Sequence, residues 1–256
     1  MKSLLLTFFL CALSSISLAS SQRFGWHLST FMGVSRSLDN RVSFHLNDQA
    51  DQVFGANYIN RSFEDSHWWS FRLEKWSGNR LKGLELIHHK IYLDNTNDII
   101  EIFSISDGYN LLYYNIGAQK GNTIYRIGFG VVLAHSDVKI AGRDRYKRKG
   151  FSGHKLAGPS IQLNMERWLW ESQTHFISFD AKASFSYAVA PISENPEEYV
   201  VAPDIACHFS FGFGSKPAAF KQKGFKKWLF FAPLAYPKIV GEGILGTGIL
   251  PEDYNL

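Results

Sequence analysis

The sequence has 256 residues, of which 45% are hydrophobic and 20% are charged, and it carries a formal net charge of +4. This is the composition of an ordinary globular chain, long enough to form one domain with a sizeable core. The densest basic run, 143–149, has the pattern of a solvated loop, so no nucleic-acid partner is expected. Aromatic side chains make up 15% of the residues, as is typical of β-sheet surfaces and membrane–water boundaries.

The N-terminal residues 1–20 have the pattern of a secretory signal peptide. Lys2 provides a positive start, residues 4–13 are apolar, and small polar residues follow. Cys11 lies in the apolar stretch and lacks the small preceding residue of a lipidation site, so the mature chain keeps only Cys207. The sequence therefore predicts an exported protein without an internal disulfide, which its core or a membrane must stabilise.

Apolar and polar residues alternate with a period of two along most of the remaining chain. Successive side chains of a strand point to opposite faces, and no amphipathic helix produces this alternation. Residues 23–33 are predicted as a strand or as an N-terminal plug. Further strands are predicted, in chain order, at 53–62, 66–76, 81–93, 100–118, 124–132, 157–166, 177–187 and 201–214.

Short turn signals without intervening helices join these strands, which predicts an antiparallel meander closed as a barrel or folded as a sandwich. The preferred fold class is all-β, an antiparallel up-and-down transmembrane β-barrel of about eight strands. The predicted domains are the signal peptide (1–20), an N-terminal strand or extension (21–50), the barrel (51–214) and a C-terminal extension of unknown structure (215–256).

One face of the predicted strands is apolar, whereas the other carries charges of both signs. In water the apolar face would point inward, but in a membrane barrel it faces lipid and the charges meet in the lumen. Charges removed from water must be paired; Lys182 is matched by type with Asp180 or Asp204, and Arg126 with Glu166. The predicted lumenal charge network consists of Arg126, Glu166, Asp180, Lys182, Asp204 and His208.

Tryptophans cluster near the predicted strand ends, which favours the membrane alternative. A belt of aromatic side chains marks both membrane–water boundaries of such barrels. The alternative is that the tryptophans pack the core of a sandwich. The predicted aromatic girdle consists of Trp68, Trp69, Trp76, Trp168 and Trp170.

With these features the chain resembles, over residues 50–214, the small eight-stranded outer-membrane proteins of Gram-negative bacteria. The resemblance implies an outer-membrane location, with outer-membrane lipids and the barrel assembly machinery as partners. Residues 128–136 are also similar to lipid A deacylase barrels, which use a His-x-Ser pair followed by Asn-Ala. In this sequence His208-Phe209-Ser210 is followed by Phe211, so no catalytic residue is carried over from that family.

The residue types of a hydrolase triad occur at His135-Ser136-Asp137, but neighbours on an extended chain point apart and cannot form a triad among themselves. No metal-ligand spacing or cofactor motif is present, so neither a metal nor a cofactor is expected. The residues that remain as candidates for catalysis are His208, Ser210, His135 and Ser136.

Three functions are compatible with the sequence. The first is a non-enzymatic outer-membrane barrel with a structural, adhesive or small-permeation role. The second is a membrane-embedded deacylase or acyltransferase that modifies lipid A. The third is a soluble, exported β-sandwich that binds carbohydrate through exposed tryptophan. The first is preferred, and the oligomeric state is left open.

Overall fold

The computed structural model describes residues 22–64, 67–105, 108–147, 153–223, 231 and 233, so the predicted signal peptide and most of the predicted extension lie outside the described residues. Within these ranges the chain forms fifteen strands and a helical turn, Pro217–Phe220. The strands are β1 (Arg23–Ser37), β2 (Asn40–His45), β3 (Gln52–Ala56), β4 (Tyr58–Ile59), β5 (Trp69–Gly78), β6 (Arg80–His88), β7 (Ile91–Leu93), β8 (Ile100–Ile105), β9 (Tyr109–Lys120), β10 (Thr123–Ala134), β11 (Asp137–Ile140), β12 (Tyr146–Lys147), β13 (Lys155–Glu171), β14 (His175–Pro191) and β15 (Tyr199–Ser215).

Eight of the described strands close into an antiparallel barrel. They pair in the order β1-β5-β6-β9-β10-β13-β14-β15, and β15 pairs back to β1 from Leu28↔Ser215 to Ser37↔Ala206. Closure gives the backbone groups of the first and last strands a partner, which removes the edges that an open sheet would leave. The predicted all-β, up-and-down barrel is confirmed, and the closed wall is not the two-sheet sandwich of the third alternative.

The barrel starts at Arg23 rather than at residue 51, because β1 is a wall strand and neither an extension nor a plug. Its apolar–polar alternation is interrupted in the middle of the strand, because apolar Phe31 stands on the inward face. The predicted strands 53–62, 81–93 and 100–118 each divide into two shorter strands: β3 and β4, β6 and β7, and β8 and β9.

The two ends of the barrel differ. At one end tight turns join β5 to β6, β9 to β10 and β13 to β14, and Gly78 and Gly121 adopt positive φ angles of 66° and 60° there. We call this the short-turn end. At the other end the chain makes long connections, whose described residues are 38–64, 67–68, 89–105, 108, 135–147 and 153–154, and we call these residues the cap. Within the described part of the cap, β2 and β3 extend the wall beyond β15, and β12-β11-β8-β7-β4 form a five-stranded sheet.

A hydrophobic cluster joins the cap to the adjacent part of the lumen. Phe44 and Phe103 meet edge to face with ring centroids 5.1 Å apart, and inward-facing Tyr109, Val132 and Ala190 belong to the same buried cluster. Burial of each large apolar side chain contributes about 1.5–3 kcal/mol. The cap is therefore a packed layer over the barrel mouth. No helix in the described residues is long and apolar enough to cross a membrane.

Candidate functional site

The lumen contains ionised side chains from several strands that meet across the barrel. They stand at inward-facing positions and are buried. Charges of both signs can remain in such a place only if they are paired and hydrogen-bonded. We call this group the lumenal ion-pair network, and it consists of Arg72, Glu74, Glu85, Arg126, Glu166, Asp180 and Lys182.

Arg72 on β5 is the centre of the network. Its Nη2 donates to Glu85 Oε1 at 2.9 Å and to Asp180 Oδ2 at 3.0 Å. Its Nη1 donates to Glu166 Oε2 at 2.9 Å. One guanidinium therefore connects carboxylates from three other strands, which matches the fixed fork of donors that arginine offers.

Two further cations complete the pairing. Arg126 donates from Nε and Nη2 to both oxygens of Glu74, at 2.6 and 2.8 Å, and its Nη2 lies 2.7 Å from Glu166. Lys182 Nζ lies between Glu85 Oε1 at 2.5 Å and Asp180 Oδ1 at 3.1 Å. Each acid of the network therefore has a cationic partner.

Neutral amides supply further hydrogen bonds to the carboxylates of the network. Asn115 and Gln162 donate to Glu85 Oε2 at 2.9 and 2.8 Å, and Asn164 donates to Asp180 Oδ2 at 2.7 Å. These bonds give donors to carboxylate lone pairs that would otherwise be buried without a hydrogen-bond partner. The interior of an eight-stranded barrel is just wide enough to be filled by side chains. In this barrel the paired charges and amides of the network fill the middle of the lumen.

The structure brings four of the six residues of the predicted charge network together: Arg126, Glu166, Asp180 and Lys182. The other three members, Arg72, Glu74 and Glu85, were not singled out from the sequence. The signal was present, because Arg72 and Glu74 alternate with Phe71 and Leu73 on β5 in the same way as the charges of β14 do.

Asp204 and His208, the remaining predicted members, belong to a separate polar cluster between the network and the cap. Asp204 Oδ2 lies 3.0 Å from His89 Nε2. Trp68 donates its indole N–H to His208 Nδ1 at 3.1 Å, and Ser184 Oγ lies 2.9 Å from His208 Nε2. Buried hydrogen bonds of this kind fix the side chains in place.

The catalytic candidates are all buried. His208 and Ser210 face the lumen, and His135 and Ser136 are buried within the cap. Asp137 does not orient His135 but accepts from Arg145 at 2.6 and 2.5 Å. The described residues hold no group of three or more potential metal ligands. No hydrolase arrangement with an open nucleophile forms among these four.

The predicted aromatic girdle is wrong for Trp68, Trp76 and Trp168, which face the lumen. Trp68 and Trp76 are fully enclosed, and Trp168 stacks on Phe176 with ring centroids 3.9 Å apart. Closeness to a strand end does not determine the face, and the inward positions near each end need bulky side chains to fill the barrel. Trp170 is exposed and Trp69 is half-buried against His88, so these two remain on or near the exterior.

The lumen is also filled at the short-turn end. The guanidinium of Arg23 lies 3.6 Å from the ring centroid of Trp168 and 5.2 Å from that of Trp76. Stacked cation–aromatic contacts of this kind bury an arginine without an open water path. Together with the lumenal ion-pair network in the middle and the hydrophobic cluster on the cap side, these side chains pack the lumen at three levels.

The barrel exterior has the opposite character. The outward residues of the described strands are mainly large and apolar, and Phe129 and Leu163 are 54% and 53% exposed. Further exposed examples are Leu84, Ile116, Phe185, Phe209 and Phe211. The molecule thus has charges inside and hydrocarbon outside, the reverse of a water-soluble barrel.

Comparison with known proteins gives matches of fold only. No family model matches the chain, and no curated protein matches its sequence. Solved structures similar to it include Ail, the attachment invasion locus protein of Yersinia pestis, crystallised with a heparin analogue (9% identity, TM-score 0.38, 75% of this chain and 99% of Ail). Neisserial surface protein A (9%, 0.32, 75% and 97%) and the outer-membrane protein OprG of Pseudomonas aeruginosa (12%, 0.36, 76% and 97%) are also similar.

These matches are to small outer-membrane barrels, the group that the sequence pattern resembles. Identities and scores this low assign no activity, and the strand pairing of the chain itself establishes the fold. The chain is a closed eight-stranded antiparallel β-barrel.

Proposed function

We propose that the chain is an outer-membrane barrel with a structural or adhesive role that does not conduct solutes. The observation that carries this proposal is the reversed polarity of the wall, with a buried lumenal ion-pair network and an exposed exterior of Phe, Leu and Ile. In water these exposed apolar side chains would lack the stabilisation that burial provides, which is about 25 cal/mol per Å² of apolar surface. In a bilayer acyl chains solvate the same exterior. Strands can cross a bilayer only as a closed barrel, because closure pairs every strand and leaves no edge of unpaired backbone groups.

The filled lumen favours the structural and adhesive roles over permeation. An aqueous channel needs a wide, polar and continuous path. In this barrel Arg72 and its carboxylate partners span the middle, while Trp76 and Trp168 fill the short-turn end. The cap then covers the opposite mouth with a hydrophobic layer. A packed cap offers a fixed surface, which suits contact with a partner outside the cell.

No observation favours the lipid-modifying alternative. Cleavage of an acyl ester needs a nucleophile and a base within hydrogen-bonding reach of each other and of the substrate. The candidates His208, Ser210, His135 and Ser136 are buried inside the barrel or within the cap, away from the exterior where a lipid would bind.

Planar-bilayer recordings test the closed lumen. We expect the refolded, full-length mature chain to insert without discrete conductance steps, because Arg72 and its partners occupy the middle of the lumen. Insertion is verified independently by heat-modifiable migration of protein recovered from the bilayer-forming vesicles. Reproducible single-channel steps from inserted protein would contradict the proposal and favour a permeation role.

An ion-pair cluster attaches the cap to the 192–198 loop. We expect the order of the cap to depend on pH for this reason. Arg143 donates to Glu198 at 2.9 and 3.0 Å and also pairs with Asp48, and the Asn47 amide donates to Glu198 at 3.1 Å. Burial opposes ionisation of Glu198, but hydrogen bonds from Ser193, the Asn47 amide and Arg143 outweigh it and hold the pKa of Glu198 below its ordinary value. The stabilisation is therefore complete above that ordinary value and is lost as the pH falls through the lowered pKa.

Hydrogen–deuterium exchange at neutral pH and at about pH 3 measures this dependence. We expect the protection of the cap amides, corrected for intrinsic exchange, to fall with acid. In Glu198→Gln the cap is already less protected at neutral pH and changes less with acid. Glu197→Gln, at the exposed neighbouring position, keeps an oxygen that can accept from Asn47 Nδ2 as Glu197 does, and should behave like the wild type. Equal acid sensitivity of the Glu198→Gln variant and the wild type would rule out this cluster as the origin.

A further inference from the structure

Beyond β15 the chain turns back onto the barrel at the short-turn end. The Lys216 amide donates to Thr174 O at 2.7 Å, and Lys216 Nζ donates to Glu171 Oε2 at 2.9 Å and Ser172 O at 2.6 Å. Gly25 of β1 has a φ of 84°, and a Cβ there would lie 2.8 Å from Pro217 Cγ. The chain after the last strand is thus anchored against the rim by specific contacts.

The helical turn Pro217–Phe220 then packs on the outside of the wall. Ala219 is buried against outward-facing Leu28, with Phe71 and Leu73 beside it. These residues belong to the apolar exterior that the proposed function places in lipid. The turn therefore lies at the boundary between that apolar exterior and the polar short-turn end.

The helical turn ends with an exposed apolar side chain, and exposed cations follow it directly. This is the order of side chains that a membrane–water boundary favours. Phe220 is 47% exposed, directly before the exposed cations Lys221 and Lys223. An exposed aromatic ring can enter the acyl-chain boundary while neighbouring lysines extend to the phosphates. The cations fit a negatively charged partner, and the position against the wall at the hydrocarbon boundary selects a lipid headgroup among such partners.

We propose that residues 216–223 form an interfacial segment that binds anionic phospholipid at the short-turn end. Phe220 enters the upper acyl-chain layer, and Lys221 and Lys223 bind headgroup phosphates. The inference rests on the proposed membrane location, and it adds that the segment prefers anionic over neutral lipid. The preference follows from the attraction of each surface lysine to an anionic headgroup, which amounts to about a fivefold gain in binding per residue.

Site-specific labelling of the full mature chain in vesicles tests this proposal. In a Cys207→Ser background, a bimane fluorophore is attached through Ala218→Cys, within the segment, or through Phe209→Cys, on the lipid-facing wall. Each protein is reconstituted in phosphatidylcholine with increasing fractions of phosphatidylglycerol, and quenching by neutral acrylamide is measured. Heat-modifiable migration verifies that every variant is folded.

We expect the probe at 218 to become protected as phosphatidylglycerol increases. Each of Lys221→Gln and Lys223→Gln should weaken binding to the anionic surface by about fivefold and so raise the phosphatidylglycerol fraction needed for half-maximal protection. The matched control, Arg41→Gln with Lys155→Gln, neutralises two exposed cations at the cap end and should leave the midpoint unchanged. Protection at 218 that does not depend on lipid charge, or that survives both lysine substitutions, would overturn the proposal.

The probe at 209 distinguishes this failure from failure of the proposed function. If 209 is protected in all vesicles and 218 is quenched in all of them, the barrel spans the membrane and only the interfacial segment is refuted. If 209 is freely quenched by acrylamide in folded protein, the membrane location itself is refuted and the inference falls with it.

Discussion

Replacement of Arg72 by leucine is expected to lower the free energy of unfolding by about 3–5 kcal/mol. The guanidinium contacts Glu85, Glu166 and Asp180 at 2.9–3.0 Å and is fully buried. Its loss leaves carboxylates in a low-dielectric lumen with only Lys182 and Arg126 to compensate them. The cost is large because the uncompensated charges cannot reach water, and not because the original pairing is strong in itself.

Reversible urea unfolding in phospholipid vesicles, monitored by tryptophan fluorescence, measures the loss. The matched control is Lys75→Leu, which removes a cation from the outward face of the same strand, where the side chain is exposed. We expect the control to change the unfolding free energy by less than about 1 kcal/mol. A loss below about 1 kcal/mol for Arg72→Leu as well would show that the network does not have the electrostatic role derived from its geometry.

The second large effect concerns the exterior. Leu163, near the middle of β13, is 53% exposed, and Leu169, near the short-turn end of the same strand, is 55% exposed. If the wall is in lipid, Leu163→Arg should cost about 2–4 kcal/mol and Leu169→Arg about 0–1 kcal/mol, because the cost of an arginine falls from the bilayer midplane to the interface.

The same unfolding assay compares the two arginine variants with the wild type. The two sites share a strand and nearly the same exposure, so a difference between them reports depth and not local packing. On a water-exposed wall both substitutions would be nearly neutral, since surface changes away from special contacts fall within about ±0.5 kcal/mol. Equal, small costs at both positions would therefore contradict a lipid-facing exterior.

The sequence predicts the barrel well where the two faces of a strand differ strongly. On β14 the inward Asp180 and Lys182 alternate with the outward Phe179 and Phe185, and the alternation identifies the strand and separates its apolar face from its charged face. The alternation is weaker on β1, where apolar Phe31 stands on the inward face, so the sequence leaves residues 23–33 as a strand or a plug, and the strand pairing decides for a wall strand. The cap is unpredictable for another reason: strands of two residues, such as Tyr58–Ile59, are too short to show a period.

The composition of the lumenal network could be predicted only in part. A period of two shows that Arg72 shares a face with Glu74, but it does not show which strand lies across the barrel. Arg72 and Glu166 are 94 positions apart in sequence, and their meeting depends on strand order and register. The tryptophans illustrate the same limit, because Trp68 and Trp69 are neighbours in sequence but only Trp68 turns inward to His208.

Fractionation of cells that express the full precursor tests the membrane location most directly. The account predicts that the processed chain sediments with the outer membrane, resists extraction by alkaline carbonate and is released by detergent as a heat-modifiable species, because its exterior of Phe129, Leu163 and similar residues needs hydrocarbon around it. Recovery of the processed, folded chain as a soluble monomer in the absence of detergent would contradict it.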